Sequence, residues 1–289
     1  MIEGSKKQSG DGKLKDFILW ASSIYALNDP QEFLYGYNLL WNEELKSIEK
    51  KLHIKEDINR ISEVWNEIEG HKTEQDCNKE LIQTLFNSHD VPFVLSFSKA
   101  KDSLPMWNTY ANKATGICLG FDNREFIINL DNIDDIKILN KLGAQDVDYG
   151  VIGDLAKKIL TSFYKNYYKK IVSSEDASQK IFFKKQYLAI SASTILAFIK
   201  HKAYEYENES RLIRFVLDDQ KELIKYRSNT NGNIIPYIEV PIKAEYLNSI
   251  IVGPCANFEM VRREITAILQ SVGIDNVKIE ESEVPYRNY

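Results

Sequence analysis

No apolar run of about 18 residues interrupts the 289-residue sequence, so no segment is long enough to span a bilayer as a helix. Cysteine is scarce: Cys77, Cys118 and Cys255 are odd in number and far apart, which excludes a disulfide framework and leaves reduced thiols as the expectation. Histidine gives no more, because His53, His71, His89 and His201 share no metal-ligand spacing. A Gly-rich phosphate loop, a nucleophile elbow, a His-Glu-x-x-His pair and paired cysteines are all missing, which removes the common nucleotide, hydrolase and zinc signatures; no metal is expected. The opening MIEGSKKQSGDGKLKD lacks the apolar core of a secretory signal, so a soluble, cytoplasmic protein without membrane partners is expected. A formal charge of −5 supplies no general attraction to nucleic acid. Nothing Pro-, Gly- or Ser-rich marks a linker, so residues 1–289 are read as one globular domain.

What is present is apolar and aromatic: hydrophobic residues make up 44% and aromatic ones 11%, enough for a large core. FILWASS (17–23) reads as a strand. Asn28-Asp29-Pro30 then predicts a helix start with Asp29 as cap and Glu32 closing a capping box. Amphipathic runs follow, so residues 30–90 are expected to form a helical insertion in the domain. Strands are expected at Ile136–Leu139 and Val147–Val151, and long helices over about 154–171 and 177–200. FYKNYYKK (163–170) alternates rings and cations, but that pattern also suits an ordinary amphipathic helix. Further strands are expected at Arg211–Leu217, Tyr237–Ile242 and Ile250–Val252. A helix with Val261, Ile265, Ile268, Leu269 and Val272 inward should end at Gly273, before a last strand, VKIEES. Strands, then helices, then strands again predict an α+β fold with a mixed, mainly antiparallel sheet and flanking helices.

Two stretches carry unusual chemistry. In VPFVLSFSKAKDSLPMWNTYANKATGICLGF (91–121), the period of a strand puts Phe93, Leu95 and Phe97 on one face and Val94, Ser96 and Ser98 on the other. Asp102 or Ser103 should cap a helix whose stripe of Leu104, Trp107, Tyr110, Ala111 and Ala114 packs inward, with Gly116 breaking it. In YENESR (206–211), an extended chain would turn Glu207, Glu209 and Arg211 the same way. Such a row is either a solvated strand entry or a site where carboxylates beside an arginine bind a ribose hydroxyl or stabilise a developing positive charge. Ser98, Trp107, Tyr110, Glu209 and Arg211 are expected to converge on one pocket.

Leu27–Glu32, Ser96-Phe97-Ser98, MWNTYA (106–111), GICLGF (116–121), YENESRLI (206–213), IVGP (251–254) and VPYR (284–287) resemble the bacterial domain of unknown function 2971 family, which implies no particular activity. Ser96-Phe97-Ser98 with Glu207-Asn208-Glu209 is similar in order and spacing to the Ser-x-Ser and Glu-x-Glu motifs of ADP-ribosyltransferases. That resemblance implies an ADP-ribosyltransferase-like fold and NAD, or a related nucleotide, as substrate. It casts Glu209 as the catalytic carboxylate, worth about 2.7–4 kcal/mol to a charged transition state, and Glu207 as the group that orients the acceptor. Ser96, Ser98, Trp107, Tyr110 and Arg211 would bind the cofactor, and a protein or nucleic acid would accept ADP-ribose, as for a toxin or a phage-defence effector. The first-strand Arg or His of those enzymes has no counterpart in MIEGSKKQSG, which leaves three readings open: a first strand absent from this sequence, an Arg elsewhere such as Arg211 or Arg287 as the alternative anchor, or a fold without catalysis. Two rival readings are a non-catalytic module that binds nucleic acid or protein, and a nucleotide or NAD glycohydrolase.

Overall fold

The computed structural model describes residues 13–26, 32–39, 92–122, 144–159, 194–216, 218–229 and 232–286. Its framework is a six-stranded sheet of β4 (Gln145–Asp146), β7 (Glu209–Phe215), β2 (Pro92–Ser98), β1 (Asp16–Ser23), β9 (Ile234–Lys243) and β8 (Lys225–Ser228), in that order and antiparallel at every pairing. A three-stranded sheet orders β11 (Lys278–Glu281), β10 (Leu247–Val252) and β3 (Ile117–Phe121), and β5 (Asp148–Tyr149) pairs with β6 (Ile199–Lys200). The described helices include α1 (Glu32–Leu39), α2 (Leu104–Tyr110) and α3 (Phe258–Ser271). This is an α+β fold with a mainly antiparallel sheet.

The two-residue period explains the larger sheet. Phe93, Leu95 and Phe97 of β2 share a face with Leu212 of β7 and Ala21 of β1, and pack with Ile238, Val240 and Ile242 of β9 into one apolar cluster. On the opposite face the register sets Ser96 beside Arg211 and Ser98 beside Glu209. Val94 and Ser96 therefore begin a face that turns polar toward the end of β2.

The smaller sheet is closed by α3, which links the parallel pair β10 and β11 as a βαβ unit. Asn257 caps α3 by accepting a hydrogen bond from the Met260 amide at 3.1 Å. At the other end Gly273 has φ +67°, its amide reaches the Gln270 carbonyl, and the Ile274 amide donates to Leu269 at 2.9 Å. That is a Schellman ending, and its apolar partners Leu269 and Ile274 join the cluster of Phe17, Ile250, Val252 and Ile265. Ile268, expected inward, is exposed because Ile265 and Leu269 already occupy the stripe facing β10.

Several expected boundaries move. α2 ends at Tyr110, not at Gly116: Asn112, Lys113 and Ala114 all take positive φ and reverse the chain, so the Gly116 amide donates back to the Ala111 carbonyl at 2.9 Å. Ser103 occupies the N-cap position without a side-chain cap, and Asp102 is engaged elsewhere. Of the expected stripe, Trp107 and Ala114 are buried while Leu104 and Tyr110 are exposed. The strand expected at Val147–Val151 is only the two-residue β5, and β4 lies just before it in the larger sheet. Residues 154–159 and 194–196 are helical, but Ile199 and Lys200 are strand, where a helix was expected to continue to Lys200. β7 starts two residues earlier than expected, at Glu209, and β8 is a strand that the sequence reading lacked. The Asp29 cap, the strand at 136–139 and the runs between 40 and 90 lie outside the described residues.

Candidate functional site

The chain enters β7 through a tight turn. Residues Lys202–Glu207 form a 3-10 helix, and Asn208 follows in the left-handed region (φ 44°, ψ 52°), a conformation Asn tolerates better than most residues. Glu207 is therefore not on the extended strand, contrary to the expectation of a straight Glu207-Glu209-Arg211 row. Glu209 and Arg211 are on it, side by side on the face that carries Ser96 and Ser98.

Lys200 restores what the turn takes apart. From β6 its Nζ donates to Glu207 Oε2 at 2.5 Å and to Glu209 Oε2 at 3.1 Å, with Glu32 Oε2 at 3.9 Å. Arg211, 1% exposed, grips Glu209 side-on, Nε to Oε1 at 2.7 Å and Nη2 to Oε2 at 3.0 Å. Its Nη1 donates to the Ala197 carbonyl at 2.8 Å, and Nη2 also lies 2.5 Å from Glu32 Oε1 on α1. Charged groups this deeply buried persist only when paired, and here three carboxylates face two cations.

Environment sorts the titrations. For Glu209, burial pushes the carboxyl up, but Arg211, Lys200 and hydrogen bonds from Arg211 and Ser96 together outweigh it and hold the pKa below the ordinary carboxylate value. For Glu32, burial wins over Arg211 and Lys200, and its pKa is raised. Burial works against the Lys200 ammonium, yet Glu209, Glu207 and Glu32 overcome it and raise the pKa. Burial first, then the neighbouring Glu207 carboxylate, keeps the Tyr110 phenol protonated well beyond its usual range.

The backbone is fixed to the same degree. Ser98 Oγ donates to the Glu207 carbonyl at 2.6 Å and accepts from the Ala100 amide at 3.0 Å, and the Lys99 amide donates to the Asn208 carbonyl at 2.9 Å. Tyr149 Oη accepts from the Glu209 amide at 2.7 Å. Tyr110 Oη, from the end of α2, donates to Glu207 Oε1 at 3.0 Å.

These groups open onto a cavity of about 470 Å³. Of the seven residues expected at the site, Ser96, Ser98, Tyr110, Glu207, Glu209 and Arg211 line it; Trp107 does not. Trp107 is buried against Ala114 and Ile251, and its Nε1 donates to Asp102 Oδ1 at 2.6 Å. Asp102 also accepts from Ser282 Oγ at 2.7 Å and the Glu283 amide at 2.8 Å. Trp107 instead borders a larger cleft of about 1280 Å³, which shares Ser96, Phe97, Ser98, Met106 and Tyr110 with the smaller cavity. Arg287 lies outside the described residues. Arg211, the other alternative anchor, already directs its guanidinium at Glu209, Glu32 and Ala197.

Sequence reasoning missed Glu32 and Lys200. Glu32 passed as a member of a capping box. Lys200 closes the run Ile195-Leu196-Ala197-Phe198-Ile199, buried throughout, and a lone charge ending so apolar a run is the signal of a buried partner. Among the described residues no group of three or more His, Cys, Asp or Glu is arranged to hold a metal ion, and no helix is long and apolar enough to cross a membrane.

Residues 106–212, from α2 through the first half of β7, match the family model of DUF2971, a protein of unknown function. The match includes Tyr110, Lys200, Glu207, Glu209 and Arg211 and stops short of β8 to β11. No curated protein and no solved structure matches the chain.

Proposed function

We propose that this cytoplasmic chain, matched by DUF2971 across its charged centre, binds NAD or a related nucleotide at the 470 Å³ cavity and transfers ADP-ribose to an acceptor protein or nucleic acid. One observation carries the reading. Hydroxyls of β2 and the Glu209 carboxylate of β7, more than a hundred residues apart, meet on one sheet face, and Glu207 joins them at one cavity.

The chemistry asks for negative charge held beside a carbon that becomes cationic. As the bond between C1′ and the nicotinamide nitrogen breaks, its electron pair leaves with the ring and C1′ is left as an oxocarbenium ion. The acceptor's nucleophile then bonds to C1′ and gives up its proton. Three carboxylates against two cations leave the cavity floor formally one charge negative, and pairing fixes that charge before substrate arrives. Both oxygens of Glu209 are engaged, so it contributes as a held charge. Glu207 is itself buried, but the Tyr110 hydroxyl bonded to it belongs to a half-exposed ring, and through that ring the two can orient an acceptor.

Incubating the protein with NAD and following free nicotinamide, with adduct on added protein or nucleic acid, tests the proposal. Glu209→Gln and Glu207→Gln should each lower nicotinamide release by about 10²–10³-fold. Nicotinamide without adduct would indicate a glycohydrolase, with water as acceptor. Binding without release would indicate a non-catalytic module, and no interaction with NAD would end the proposal.

A further inference from the structure

The inner cavity has an unusual inventory of charge. Lys200 and Arg211 are the only Lys or Arg among the described residues that line it. Both are consumed: Lys200 donates to Glu207 and Glu209, and Arg211 to Glu209 and Ala197 with Glu32 against it. A phosphate placed here would meet carboxylates and no uncommitted cation. The walls above the carboxylates are rings. Tyr110 is 51% and Tyr206 42% exposed, and Tyr204 lies beside Tyr206 with centroids 6.4 Å apart and planes at 38°. The protein already stores one cation in this setting, since Lys200 Nζ sits 4.9 Å from the centroid of the Tyr204 ring. Faces of tyrosine attract cations, and a carboxylate floor adds to that attraction wherever water is excluded.

We infer that the inner cavity selects a planar cationic ring free of phosphate: the oxidised, pyridinium form of a nicotinamide nucleoside, in preference to the reduced, uncharged ring of the same outline. The choice of pyridinium rests on the NAD reading; the preference for positive charge rests on the residues alone. Phosphates of a larger ligand stay outside, in the adjoining cleft, where Lys101 is among the lining residues and Lys99, paired with the exposed Asp146 at 2.7 Å, lies beside it.

The experiment compares binding of nicotinamide riboside, a cation, with its neutral 1,4-dihydro form, by calorimetry on the full chain. The cation should bind at least about tenfold more tightly. Glu207→Gln should shrink that ratio. Because a buried carboxylate variant can fail to fold, Tyr206→Leu, an exposed ring, is measured beside it and should reduce the ratio about two- to fivefold. Equal affinities in the wild type, or binding of neither form, would overturn the inference. So would a ratio unmoved by Tyr206→Leu together with a folded Glu207→Gln. Nicotinamide release from NAD is assayed separately: release with equal affinities sinks only the charge preference, whereas a preserved preference without release sinks only the transferase reading.

Discussion

The charged cluster at β6 and β7 and the βαβ unit of β10, α3 and β11 are held together by opposite means. The βαβ unit uses neighbours in sequence: an Asn257 cap, a Gly273 ending and an apolar stripe against β10, all within residues 247–281. The cluster joins residues that sequence keeps apart, Glu32 with Arg211 and Tyr110 with Glu207, through charge rather than apolar area. Local apolar contacts tolerate loss by degrees, whereas a buried ion network answers removal of one member with an uncompensated charge.

That contrast can be broken most forcefully at Arg211. Arg211→Met leaves Glu209 and Glu32 buried beside Lys200 alone, and should cost about 3–5 kcal/mol in urea denaturation. A smaller loss would mean that the cluster opens to water at little cost. The pH dependence sharpens the same point. Glu209 has a folded pKa below its ordinary value of 4.5, so its contribution is complete above that value and is lost as pH falls through the lowered one. Glu32 has the opposite sign: its raised pKa makes its contribution greatest below its ordinary value and weaker as pH climbs through the raised one. The wild type should therefore lose stability more steeply below about pH 4.5 than Glu209→Gln does, read from urea midpoints at descending pH.

At the βαβ unit the effects should be smaller. Asn257→Ala removes one cap and should lower stability by about 0.5–2 kcal/mol in urea denaturation. Smallest of all is the exposed pair of Arg262 and Glu259 on α3, at 3.1 Å, where Arg262→Ala should change stability by less than about 0.5 kcal/mol. A larger value there would show that surface charge matters more to this helix than its apolar stripe.

The same division explains what could be read beforehand. Alternation in PFVLSFS placed two hydroxyls on one face of β2, because a strand's period is a local property. Gly273 marked the end of α3 for the same reason. That β2 and β7 lie in one sheet fits the apolar strand residues bordering a polar motif in each, but their direct pairing and register come only from the structure. Glu32 and Lys200 were illegible because their roles depend on partners brought by tertiary structure: one resembles a cap, the other a helix end. Trp107 was legible as a packed ring but not as a hydrogen-bond donor to Asp102, since the partners that orient Asp102 lie at 282 and 283. The left-handed Asn208 hid the turn between the two glutamates, because nothing in Glu-Asn-Glu alone favours it over a continuous strand.

The bonds from Ser282 and Glu283 to Asp102 also carry a consequence for how the protein is made. Asp102 holds Trp107, and Trp107 seats the short helix whose last residue, Tyr110, reaches Glu207. A chain emerging from the ribosome exposes residues 102–110 long before 282 and 283 have been synthesised, so this support is assembled last. Nascent chains arrested before residue 282 should carry the larger sheet yet leave Trp107 open to solvent, with the red-shifted fluorescence of an exposed indole. A cavity wall organised in this way would stay incomplete on the ribosome until synthesis had passed that point.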